Sequence, residues 1–295
     1  MNRAAAGAFL LALLATGCRA PAAPSPESAP AIRSLCFAPP ALALPDATIR
    51  ARVADLTRDL DGPAAPWIRA LMTHESGGDA SAISPTGCAG PLALASCRGC
   101  TPCCRADAGD GSTAVYDRCR SEAAGGYLCD RSLDPRFRPK FALAVAEAKL
   151  ATLERRLAAA PPGSFAYPAA LATSWNAGPG VFADFPAGLV SAERAIERLD
   201  FAASPSYAGW LPRDRWNKVV EVYDYALWLA LLGDFWRGAE SAPPPPPVGE
   251  RCFDVAGGRF TAAGRQPGDY RRVPVLRLRF GRYLPGEIEV LETAP

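Results

Sequence analysis

The chain of 295 residues has one histidine, His74, one glutamine, Gln266, two methionines and three lysines, Lys140, Lys149 and Lys218. A single histidine excludes a His-rich metal centre, and it excludes a Ser-His-Asp hydrolase that needs another imidazole. Charge of one sign is also missing. The formal net charge is +2, from 32 basic and 30 acidic groups, which excludes the strongly basic surface of a default nucleic-acid binder. Past the N-terminal region no apolar run reaches membrane-spanning length; Ala226–Leu232 is only seven residues. What is present is 49% apolar and 21% charged residues, which speaks against wholesale disorder. The length allows one or two domains with an adequate core.

Arg3 precedes an Ala/Leu-rich run from Ala4 to Ala15, followed by Thr16-Gly17-Cys18. A basic start, a short apolar core and small residues describe a secretory signal peptide. Small residues leading into a cysteine resemble a bacterial lipoprotein signal. That resemblance implies a signal over residues 1–17, acylation at Cys18 and a membrane anchor on the periplasmic side, expected at an outer membrane. An ordinary signal with an incidental cysteine is the alternative. Residues 18–35, rich in Pro, Ala and Ser, suit a tether.

Of ten cysteines, nine remain after Cys18: Cys36, Cys88, Cys97, Cys100, Cys103, Cys104, Cys119, Cys129 and Cys252. Export favours disulfides over thiolate–metal ligation for all of them. Neighbours Cys103 and Cys104 are expected to pair with different partners. Cys36 and Cys252 flank the main domain and are candidates to close it. Connectivity stays open at this level, and no metal and no cofactor are expected.

Helical periodicity runs over Asp46–Asp61 and resumes behind Pro66, ending at Gly77-Gly78 just after Glu75. It returns over Pro139–Ala160, Tyr167–Trp175, Ser191–Leu199 and Arg213–Trp236. The main domain, 36–240, is therefore expected to be all-α, interrupted by a loop-rich, Cys-rich insertion at about 88–130. Five prolines, Pro243–Pro247, form a stiff spacer within a linker over 241–248. The remainder, 249–295, reads as a small β-like extension with strands over Val273–Tyr283 and Glu287–Leu291, joined around Pro285-Gly286.

The chemistry-bearing stretch runs from His74 to Gly90. It sets a carboxylate, Glu75, at the end of an apolar helix beside a Gly-rich turn. Partial burial there raises a carboxyl pKa, and a raised acid can protonate a glycosidic oxygen near neutral pH. Alone, a Glu near a helix C-terminus is more often a solvated surface residue. Asp79, the nearest second carboxylate in sequence, reads as a turn residue, and His74 as structural or exposed.

The ordered motifs narrow this. Glu75-Ser76-Gly77, then Ser84-Pro85-Thr86-Gly87 with Ala89-Gly90, then Asp134-Pro135, then Trp175-Asn176-Ala177-Gly178-Pro179 resemble the soluble lytic transglycosylase family. The resemblance covers roughly Pro63 to Trp236; Glu75 and Asn176 are 101 positions apart, longer than the family usually shows, and the insertion accounts for the excess. It implies a lysozyme-like fold and cleavage of the β-1,4 bond between N-acetylmuramic acid and N-acetylglucosamine in peptidoglycan. Glu75 would be the catalytic acid and base, and the product a 1,6-anhydro-muramyl end. Substrate binding would involve Ser84, Gly90, Trp175, Asn176 and Trp216, the last aligned loosely with a family tyrosine. Ala93 stands where the family carries glutamine, and Trp175 where it carries tyrosine. These departures keep two alternatives open: a degenerate, non-catalytic peptidoglycan-binding lipoprotein and a hydrolytic lysozyme-type muramidase. The expected partners are glycan strands and, through the anchor, a membrane.

Overall fold

The computed structural model describes residues 31–84, 88–94, 135–157, 166–177, 191–202, 212–238 and 249–292. Cys18, the signal segment, Asp134, the polyproline run and Cys97, Cys100, Cys103, Cys104, Cys119 and Cys129 lie outside them. In chain order the elements are β1 (Ile32–Phe37), α1 (Ala47–Leu56), α2 (Ala65–Ser76), a 3-10 turn (Pro135–Phe137) and α3 (Pro139–Leu157). Then come α4 (Ala166–Ala177), α5 (Ala192–Glu197), α6 (Pro212–Trp236), β2 (Arg251–Ala256), β3 (Arg259–Ala263), β4 (Arg271–Arg279) and β5 (Arg282–Glu292).

The expectation of an all-α protein is overturned. The described residues form helices plus a five-stranded antiparallel sheet ordered β3-β2-β1-β5-β4. The central strand is β1, which begins inside the segment read as tether. Six residues with no strand neighbours nearby carry little local signal. Their pairing partners, such as Asp254 for Ser34 and Val290 for Leu35, lie more than two hundred residues away. The tail's register also differs from expectation. Arg279 pairs with Arg282, so the hairpin turns at Phe280-Gly281, and Pro285-Gly286 lies within β5. Both turn residues have positive φ, 51° and 76°, the backbone of a two-residue type I′ turn.

The helices behave largely as their sequences dictate. Asp46 caps α1 by accepting from the Ile49 amide at 2.9 Å. Pro66 sits in the first turn of α2, and Gly77, at φ 62°, ends it in the left-handed conformation. Helix α6 is the spine, with Tyr223, Tyr225, Trp228, Leu229 and Leu232 buried. At Gly233 an added Cβ would lie 2.4 Å from the Trp67 ring, so glycine sets how closely α6 approaches α2.

The sheet is fastened to the helices. Phe37 meets Tyr223 edge-on at 5.3 Å. Arg251 pairs with Glu193 at 2.9 Å, and Arg259 with Asp200 at 2.8 Å. Cys36 and Cys252, cross-strand partners of β1 and β2, form a disulfide, as their flanking positions suggested.

Candidate active site around Glu75

Glu75 occupies the last turn of α2 and is half-buried. The next residue explains how the turn is held. Ser76 Oγ donates to the Pro91 carbonyl at 2.7 Å and accepts from the Gly78 amide at 3.1 Å. One side chain thus ties the helix end to the loop that returns beneath it. That loop closes on itself through Ser84 N to Cys88 O at 2.8 Å and Gly90 N to Ala82 O at 2.9 Å. Gly90, expected to bind substrate, is buried instead. Its φ is 81°, and an added Cβ would lie 1.8 Å from the Arg136 carbonyl, so its glycine serves the packing of loop against 3-10 turn. Ala93 holds left-handed backbone at φ 44°.

The α6 face opposite Glu75 carries Lys218, Glu221 and Tyr225 at helical spacing. The Tyr225 phenol donates to Glu75 Oε1 at 2.5 Å. Burial pushes the Glu75 carboxyl up to about 8; the Cys88 thiol and the Glu221 charge add to this, while the Tyr225 hydrogen bond and Lys218 oppose it. Burial and the neighbouring Glu75 raise the Tyr225 phenol as well, so it stays a hydrogen-bond donor. Glu221 is held by Lys218 at 2.6 Å, and Lys218 also donates to Asn176 Oδ1 at 3.0 Å. This line brings Asn176, at the end of α4, into the polar group around Glu75.

His74 is structural, as one of the two sequence expectations had it. It is buried, and burial lowers its pKa to about 3, so it is neutral at physiological pH. Its ring meets Tyr225 edge-on at 4.2 Å, which steadies the tyrosine that grips Glu75. Asp79 is committed to its turn, accepting from the Ser81 amide at 2.8 Å and hydroxyl at 2.7 Å. A surface hollow lined by Arg52, Asp55, Gly78 and Asp79 does not include Glu75.

Trp175 is half-buried with the Lys149 ammonium 4.5 Å from its ring centre. Trp216 is buried in the core. The tyrosine that touches the acid is Tyr225, further along the same helix. Sequence reasoning missed Tyr225, Glu221 and Lys218; their i, i+3, i+7 spacing on a helix already expected was the available signal. It also missed Tyr283, which β5 brings to Ser84.

Among the described residues, the group with metal-ligand chemistry is Cys36, Glu250 and Cys252, and its two sulfurs are joined to each other. Comparison with protein-family models, curated proteins and solved structures returns no match for this chain.

Proposed function

We propose that the chain is a peptidoglycan lytic transglycosylase, acting as an exported lipoprotein, with Glu75 as its single acid and base. The observation that carries this reading is the Glu75 carboxyl, raised to about 8 by burial yet gripped at one oxygen by Tyr225. Such a group is protonated at neutral pH, and the grip on Oε1 leaves Oε2 to present the proton. In the first half of the reaction Glu75 gives its proton to the leaving glycosidic oxygen as the bond to the muramyl anomeric carbon breaks. In the second half the Glu75 carboxylate takes the proton of the muramyl 6-hydroxyl, whose oxygen bonds to that carbon. The proton returns to Glu75, no water is consumed, and the product ends in a 1,6-anhydro ring. The Tyr225 hydrogen bond and the Lys218 charge favour the carboxylate between the two halves. On this reading Ser84 and Asn176, tied into the surroundings of Glu75 through Cys88 and Lys218, orient the sugar.

Glu221 favours a second reading, a hydrolytic muramidase, because it supplies another carboxylate beside Glu75. Its tight pairing with Lys218 weighs against a part in activating water. Mass analysis of products from purified peptidoglycan separates the two. Anhydro-muropeptides from the wild type and none from Glu75→Gln are expected. Products heavier by one water would replace this reading with hydrolysis. No release from the wild type, with glycan binding intact, would replace it with a non-catalytic binder.

A further inference from the structure

Among the described residues the large apolar side chains most exposed to solvent are Leu276 at 51%, Leu284 at 40% and Tyr283 at 36%. All three belong to the β4–β5 hairpin, outside the stretch that carries the family resemblance. The hairpin is seated firmly. The Gly281 amide donates to the His74 carbonyl at 3.0 Å, one residue before Glu75. An added Cβ at Gly281 would lie 2.6 Å from the Ser76 carbonyl. Phe280, left-handed at φ 51°, is held edge-on against Trp228 at 5.2 Å. Arg277 reaches the Ala38 carbonyl at 2.6 Å and pairs with the buried Asp224 at 3.4 Å.

This docking fixes Tyr283, two residues past the turn. It pairs with Leu278 across the hairpin and is hydrogen-bonded to the Ser84 side chain, within electrostatic reach of Glu75, Glu221 and Cys88. Ser84 also accepts from the Cys88 amide at 3.0 Å. A phenol hydroxyl both donates and accepts, so it can serve Ser84 and a second polar group together. Tyr283 itself is 36% exposed. Pro285 and Leu276, opposite one another and exposed, continue the same face of the hairpin.

We infer that Tyr283, delivered by the C-terminal hairpin, is a substrate-positioning residue of this site, offering its ring face to an N-acetylated pyranose and its hydroxyl to a sugar oxygen. The inference rests on the glycan-cleaving reading above and adds to it a wall built from a separate part of the chain. A pyranose presents an apolar C–H face that stacks on an aromatic ring, and its polar rim takes a phenolic donor. Ser84 and Tyr283 then act as one unit, each orienting the other.

The test uses the full chain and three proteins: wild type, Tyr283→Phe and Tyr283→Ala. Turnover of solubilised glycan strands and thermal melting are measured for each. Tyr283→Phe should lower kcat/KM about tenfold with an unchanged Tm. Tyr283→Ala should raise KM about a further tenfold, because the stacking face is lost too. Wild-type kinetics in both variants would overturn the inference while leaving Glu75 chemistry standing. A rate loss that merely follows a fall in Tm would overturn it in favour of a structural role. Inactive wild type would overturn the reaction itself, and co-sedimentation with peptidoglycan sacculi then decides for Tyr283. Weaker binding by Tyr283→Ala supports the contact, and equal binding overturns it.

Discussion

The Tyr225 phenol and the Glu75 carboxyl, 150 residues apart in sequence, meet in a 2.5 Å hydrogen bond. The contact works in the direction opposite to burial, since donation favours the carboxylate while desolvation favours the acid. One group is thereby poised to give a proton and take one back.

Removing that donor should shift the balance toward the acid. Tyr225→Phe is expected to raise the Glu75 pKa further and to move the alkaline limb of the pH–rate profile upward. The maximal rate should fall about tenfold to a hundredfold, because the carboxylate loses its partner in the second half of the reaction. Rates from pH 5 to 10 measure both effects. An alkaline limb that moves down or stays in place would show that the bond does not tune Glu75.

The wild-type rate should decline as pH rises through about 8, the value to which burial brings Glu75. The same shift makes Glu75 costly to fold. Its folded pKa is near 8 against an ordinary 4.5, so the folded state keeps a proton that the unfolded chain has released. Its contribution is complete below pH 4.5 and is lost as pH rises through 8. Glu75→Gln, which still accepts from Tyr225, should therefore be more stable than wild type at pH 8 by roughly 1–3 kcal/mol, with no gain at pH 4. Urea titrations at the two pH values check the difference.

Gly281→Ala places a methyl 2.6 Å from the Ser76 carbonyl at a φ of 76°. Both the clash and the backbone oppose it, at a cost of about 2 kcal/mol or more. Because the hairpin and the end of α2 share this contact, turnover should fall together with Tm. Gly257→Ala, at φ 57° with open space around it, should lose about 1 kcal/mol and leave turnover unchanged. Paired melting and activity measurements on the two variants separate backbone strain from disturbance of the site.

The Cys36–Cys252 bond spans 216 residues of sequence. Replacing both cysteines with serine should cost roughly 2–5 kcal/mol, mainly by releasing the unfolded chain. Urea titration of the double variant beside the wild type, both without reductant, checks the difference.

Elements written by local pattern were legible. Pro66, Gly77 and the apolar spacing of α2 announce the helix that carries Glu75 in its last turn, whereas Glu75 is singled out by its place among ordered motifs, since its neighbours alone suit a solvated surface residue. Elements that exist only through distant pairing were not. The sequence Ile32–Phe37 has no strand beside it until β2 and β5 arrive, so it read as the end of a tether. Tyr225 was obscured because α6 is mostly apolar, and its aromatic residues resemble core in any window. Tyr283 was hidden by a misplaced turn: Pro285-Gly286 is the stronger turn signal in sequence, whereas Phe280 adopts positive φ only because Trp228 and α2 hold it there. Gly90 and Trp216 were assigned to substrate by motif, and their burial gives them to packing.

The placing of β1 between β2 and β5 has a bearing on when the site can exist at all. The strand at the middle of the sheet has both of its partners more than two hundred residues further along the chain. The sheet therefore closes only when β1, β2 and β5 come together across that separation. Until then the end of α2 lacks the hairpin contact at His74. Closure of the sheet and completion of the setting around Glu75 are thus one event, and a chain lacking β5 would leave that setting unfinished.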